Sequence, residues 1–189
     1  MPEPPSGRTL LTGPSNAGKT RATAALLDAW VDVNGPSGVV VLDFAPEVWR
    51  GGRLLGGRID RFTDVPDAAW HGVIDAHAPR AEADDDEAAL VLARENAERA
   101  EALLDSAPPP RAVFVNDATI PYQSPDADAS SLVTYCDDAV AVCNAFESDQ
   151  LGTEDPVSRA ERDALATLRE WADTVRRLDP GDSNLFTEG

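Results

Sequence analysis

Lysine is almost missing from this sequence: of its sixteen basic residues fifteen are arginine, and the remaining one is Lys19. Positive charge as a whole is scarce, because thirty-four acidic residues leave a formal net charge of −18 over 189 residues. A charge of that sign opposes direct binding to nucleic acid or to an anionic membrane surface, so neither is expected as a partner. There are only two cysteines, Cys136 and Cys143, with no C-x-x-C pair and no partner histidines, which argues against a metal site or a redox pair and predicts two buried thiols. The two histidines, His71 and His77, have no ligands or nucleophile at a useful spacing and read as surface or packed residues. No stretch approaches the ~18 consecutive apolar residues of a membrane span. The first seven residues lack a basic region followed by an apolar core, so a cytoplasmic chain is expected.

Against this background one short stretch is rich in meaning. Gly13-Pro14-Ser15-Asn16-Ala17-Gly18-Lys19-Thr20 fits G-x-x-x-x-G-K-[ST], with an apolar strand-like run before it and a helix-like run after it. The chemistry asks for these residue types. Glycine allows the backbone conformations and close approach by which successive N–H groups surround an anion. The following helix adds its unpaired N–H groups and the positive end of its dipole. Lys19 is expected to reach the β- and γ-phosphates of a nucleotide, and the Thr20 hydroxyl to ligate Mg²⁺. The one lysine of the chain stands where this motif requires one. The stretch resembles the P-loop NTPase superfamily, a resemblance covering roughly the first 45 residues and two later strands. It implies a three-layer α/β fold with a mostly parallel central sheet flanked by helices, and binding of ATP or GTP with Mg²⁺. It also implies one nucleotide-binding domain over 8–180, between a flexible leader at 1–7 and a flexible tail at 181–189. The excess of acid with little lysine and few large aromatics resembles the composition of proteins from salt-loving organisms, in which concentrated salt screens self-repulsion.

Along the chain, 8–12 reads as a first strand and 18–33 as a helix closed by Asn34-Gly35-Pro36. The run 39–44 reads as a buried strand carrying Asp43 near its end. A strand, helix and strand of this length form a right-handed parallel unit, which brings Asp43 to the same sheet edge as the loop. The duplicated Gly-Gly-Arg at 51–58 suggests a mobile loop or a pair of surface turns bearing Arg53 and Arg58. Either a strand at 72–77 or a helix at 68–76 fits the next stretch. A long helix is predicted over 87–106, stopped by three prolines at 108–110. The run 112–117 predicts another buried strand, ending at Asp117. Residues 124–135 read as helix, 139–144 as strand, and a last helix starts with Asp155 as N-cap and Pro156 in the first turn. Its stripe of Ala164, Leu168, Trp171, Val175 and Leu178 carries the helical pattern on to 178.

Two strand-end acids, Asp43 and Asp117, thus compete for the Mg²⁺ shell. Asp117 is favoured because its strand follows a long helical crossover and can return beside the first strand. Asp43 is then free to bind or deprotonate an acceptor. Arg53, Arg58 and Arg80 are candidates for neutralising transferred phosphate. The leading expectation is an ATPase or a kinase-like phosphotransferase acting on a small molecule or nucleotide. A GTP-binding switch is the rival: Asn144-Ala145-Phe146-Glu147 stands where that class carries Asn-Lys-x-Asp, but without the lysine and with Glu for Asp, so Asn144 reads as a turn former. A nucleotide-dependent interaction module with little turnover is the third reading, with a small molecule or a protein as partner.

Overall fold

The computed structural model describes residues 1–55, 57–148 and 154–181. Beyond Gly181, the tail expected at 181–189 lies outside the described residues. Strand β1 (Arg8–Gly13) runs into the glycine-rich loop, and α1 (Lys19–Asn34) leaves it. Gly35, at φ 75°, closes the helix with its N–H donated to the carbonyl of Val31. Next come β2 (Val39–Asp43) and a small antiparallel hairpin, β3 (Val48–Arg50) and β4 (Arg53–Leu55). Its turn is Gly51-Gly52, both at positive φ, so the stretch read as a mobile loop or a pair of surface turns is in part a paired hairpin. Gly56 lies outside the described residues.

Then follow β5 (Trp70–Val73), the short α2 (Pro79–Glu82), α3 (Asp86–Ser106) and β6 (Ala112–Asn116). The chain ends through α4 (Ser130–Cys136), β7 (Val140–Phe146), α5 (Pro156–Trp171) and β8 (Thr174–Arg177). Asp85 caps α3 by accepting the Ala88 N–H at 2.8 Å, and Asp155 caps α5 by accepting that of Ser158 at 2.9 Å. Six strands form one sheet in the order β5-β2-β6-β7-β1-β8, every pair parallel. Side chains alternate across it. Leu11, Val39, Val41, Phe114 and Val142 pack under α1 with Ala22 and Leu27. Leu10, Val40, Leu42, Val113, Val115 and Cys143 pack on the opposite face against α3, α4 and α5. The result is the expected three-layer α/β fold. Cys136 and Cys143 are both free thiols buried in the second of these layers.

Of the two readings of the stretch after 68 the strand holds, over Trp70–Val73 at the edge of the sheet beside β2. Three expectations are corrected. Of 124–135 only the part from Ser130 on is helical, in α4; Pro125 has no N–H to give a helix, and Asp128 Oδ1 accepts the Ser130 N–H at 2.9 Å. The last helix stops at Trp171, and Val175 lies in a strand. Asp173 accepts both the backbone N–H and the guanidinium of Arg8, at 2.9 and 2.8 Å, and this turns the chain alongside β1. Finally, β6 does not return beside β1. Strand β7 lies between them, so the strand-order argument that favoured Asp117 over Asp43 does not hold.

No helix among the described residues is long and apolar enough to cross a membrane.

Candidate functional site

The loop begins where β1 ends. Gly13 sits at φ 148°, and a Cβ there would stand 2.2 Å from the carbonyl oxygen of Leu178, so only glycine fits under the chain leaving β8. Asn16 and Gly18 take φ of 63° and 85°, left-handed values of the kind found where successive peptide N–H groups form an anion-binding turn. Gly18 is the N-cap of α1 and supplies no side-chain oxygen, so the first-turn N–H groups are left for an anion. Lys19 is buried and folds back over the loop, its Nζ donating to the carbonyls of Gly13 at 2.9 Å and Pro14 at 2.7 Å. Burial pulls the Lys19 pKa below its ordinary value, while the charges of Asp117 and Glu161 act the other way. Pro14, Ser15 and Ala17 complete the turn, with Ala17 N–H donating to Pro14 O at 3.3 Å.

A chain of buried polar groups runs across the strand ends beside this loop. The Thr20 hydroxyl donates to Asn116 Oδ1 at 3.1 Å. The same oxygen accepts from Asn144 Nδ2 at 2.9 Å, and Asn144 Nδ2 also donates to Thr23 Oγ1 at 2.9 Å. Asn116 Nδ2 donates to Asp43 Oδ1 and to the Gly57 carbonyl, each at 2.9 Å. Asp43 is fully buried, and its Oδ2 accepts the Ile59 N–H at 2.7 Å. Asn144 Oδ1 accepts the Asp117 N–H at 3.0 Å. Asn144 is therefore inside a strand and joins three elements; the turn-former reading is overturned.

Asp117 follows the end of β6 at φ 55°, a left-handed value for a non-glycine residue. Its carboxyl pKa is pushed up to about 6 by burial first, with Asp43 and Glu161 adding to the rise and Lys19 opposing it. Glu161 of α5 is buried as well. Its Oε1 accepts the Thr119 hydroxyl at 3.0 Å, and its Oε2 meets Arg80 Nη1 at 2.5 Å. Arg80 and Lys19 both stand against the ring of Phe146, with 5.6 and 5.9 Å to its centroid. Of the other arginine candidates, Arg58 has a buried Nε without a hydrogen-bond partner among the described residues, and the Arg53 side chain lies outside what is described. His71 Nε2 lies 3.8 Å from Asp43 Oδ2, whereas His77 pairs with Glu95 at 2.8 Å on the outer edge.

The structure thus gathers the loop, Asp43, Asp117 and Arg80 at one edge of the sheet. Sequence reasoning missed Asn116 and Glu161. A signal for Asn116 existed: Phe114 and Asn116 share strand parity, and that face looks toward α1 and Thr20, whereas Asp117 is out of step by one. Glu161 lies 42 positions from its partner Thr119, and no local pattern announces it.

Among the described residues no three His, Cys, Asp or Glu side chains group as a metal site. The Thr20 hydroxyl, expected from the sequence to meet Mg²⁺, has the neutral amide of Asn116 as its partner.

No protein-family model matches the chain, and no curated protein matches it in sequence. Solved structures do match in fold. The crystal structure of the flagellar accessory protein FlaH from Methanocaldococcus jannaschii superposes with a TM-score of 0.51 over 93% of this chain and 72% of that one, at 9% sequence identity. At that identity the likeness is one of fold: a parallel sheet flanked by helices.

Proposed function

We propose that this chain binds a nucleoside triphosphate, ATP by preference, in the loop 13–20 and acts as a slow Mg²⁺-dependent ATPase whose bound state matters more than its turnover. The observation that carries the reading is Lys19: a buried ammonium that satisfies itself on the carbonyls of Gly13 and Pro14, in a loop with left-handed Asn16 and Gly18, is a donor waiting for an anion. On binding, phosphate oxygens replace those carbonyls as acceptors. The charge they bring is offset by Lys19, by the first turn of α1 and by the metal.

Slow turnover follows from Asn116. Phosphoryl transfer depends on positioning and on neutralising charge, and a carboxylate next to the loop hydroxyl contributes by holding the metal's waters. Here the Thr20 hydroxyl meets an amide, and the Asp43 carboxylate lies one hydrogen bond further back with both oxygens accepting bonds. Asp117 is the carboxylate left to orient water, and its raised pKa suits a group that accepts a proton. A guanine switch is disfavoured because the Asn144 amide is consumed by Asp117, Thr23 and Asn116 and so cannot read a base.

A nucleotide panel with product analysis, in high salt with Mg²⁺, tests the proposal. ATP is expected to bind and to release phosphate slowly, without transfer to a second nucleotide. Strong preference for GTP would restore the switch reading, and a phosphorylated acceptor would restore the kinase-like one.

A further inference from the structure

Arg80 is far from the loop in sequence and beside it in space. It lies on α2, and its guanidinium carbon is 5.6 Å from the centroid of the Phe146 ring. The Lys19 ammonium is 5.9 Å from the same centroid, so the two cations are separated by no more than the sum of these distances. Phe146 ends β7 in register with Gly13, the first residue of the loop. A ring there keeps water from one side of each cation and favours positive charge over its face. Arg80 also faces a built-in counter-ion. Its Nη1 meets Glu161 Oε2 at 2.5 Å and Ser158 Oγ at 3.4 Å. Glu161 is 4% exposed, and its charge reaches both Lys19 and Asp117.

Among the described residues, both hydrogen bonds of Arg80 use the same nitrogen. A guanidinium recognises a carboxylate or phosphate at full strength through two parallel N–H groups, so this pairing leaves part of its recognition capacity unused. The pair is also only partly enclosed, the Arg80 side chain being 25% exposed and that of Glu161 5%. A cation that keeps some access to solvent can change partners; a carboxylate fixed from behind by Thr119 stays in place.

We infer that Arg80 is the residue that reads the terminal phosphate of a triphosphate seated in the loop, with Glu161 as the internal acceptor that holds the guanidinium while the site is empty. The inference rests on the nucleotide reading above and adds a specificity to it: Arg80 distinguishes a nucleoside triphosphate from a diphosphate. When the terminal phosphate arrives, its oxygens offer the fork two acceptors in place of one, and Arg80 moves from Glu161 toward Lys19. A diphosphate, lacking that group, leaves the Arg80–Glu161 pair intact. The exchange also ties α2 and α5 to the nucleotide state, since Arg80 and Glu161 sit on those two helices.

Calorimetric titration of the full chain with ATP and with ADP, in the same high-salt Mg²⁺ buffer, tests this through the ratio of the two dissociation constants. Arg80→Ala is expected to weaken ATP by about tenfold or more, the loss of a charge-assisted pair, and to leave ADP within about threefold. Arg80→Lys keeps the stem and the charge but loses the fork, so it is expected to lose most of the preference for ATP while remaining folded. Glu161→Gln, which loosens the internal acceptor, is expected to raise the preference above wild type. A ratio that stays at the wild-type value in Arg80→Lys and Glu161→Gln overturns the inference. So does a parallel loss of ATP and ADP affinity, which is what a purely structural arginine would give. A wild-type chain that binds neither nucleotide overturns the underlying site reading, whereas one that binds both with unchanged ratios in the variants overturns the role of Arg80 alone.

Discussion

The hydroxyl of Thr20 donates to the side-chain oxygen of Asn116 across 3.1 Å, joining the first turn of α1 to the end of β6. On the nucleotide reading proposed above, this makes a neutral amide the partner of the residue that would touch Mg²⁺. The amide in turn leans on Asp43, so the nearest fully buried carboxylate acts through it.

Asn116→Asp moves a negative charge next to Thr20. Mg²⁺-dependent ATP affinity is expected to rise by about tenfold, because a charge-assisted contact replaces a neutral one. The change also sets two carboxylates side by side with Asp43 and is expected to cost about 1–3 kcal/mol of stability in the absence of metal. Calorimetry with and without Mg²⁺, together with urea unfolding, reads both effects. Unaltered metal dependence would show that Asn116 does not set the grip on the ion.

Asp117 titrates at about 6 in the folded chain and near 3.8 when unfolded, so between these values the folded state holds more protons. Stability therefore falls as pH rises through that window, and the ionised carboxylate is a cost above it. Asp117→Asn removes the cost. Its advantage over wild type is expected to be absent below about pH 4 and to grow to at most about 3 kcal/mol at pH 7 in the nucleotide-free chain. Urea unfolding of both proteins across pH 4 to 7 measures the difference, and a variant no more stable at neutral pH contradicts the raised pKa.

Asp43 holds the Ile59 N–H and the Asn116 amide from a fully buried position. Asp43→Ala leaves two buried donors without an acceptor and is expected to destabilise the chain by about 2–5 kcal/mol. Amide exchange at Ile59 is expected to accelerate in the same variant. Wild-type protection at that amide would mean that Asp43 does not fasten the segment after β4.

Much of this was written locally. The loop, the strands around it, the ends of α1 and α3 and the start of α5 follow from glycines, capping aspartates and apolar periodicity, all read over a few residues. What escaped depends on distant partners. The spacing of Leu168, Trp171 and Val175 continues a helical stripe, and what breaks it is the capture of Asp173 by Arg8, 165 positions away. Strand order has the same character: only the assembled sheet shows β7 between β1 and β6. The acid at the end of a buried run drew attention to Asp117, although the side chain in register with Thr20 is the amide one residue earlier. A single step along a strand exchanges the two faces of the sheet, which is why that detail needed the structure.

On the proposed reading the loop 13–20 binds a triphosphate through Lys19, whose Nζ now rests on the carbonyls of Gly13 and Pro14. Calorimetric titration of wild type and Lys19→Ala with ATP, in high salt with Mg²⁺ and with both proteins shown to be folded by circular dichroism, tests it most directly. Wild type is expected to bind ATP and the variant to lose at least about a hundredfold in affinity, a loss of about 2.7 kcal/mol. Equal affinity in the two proteins, or no binding by wild type, would contradict the account.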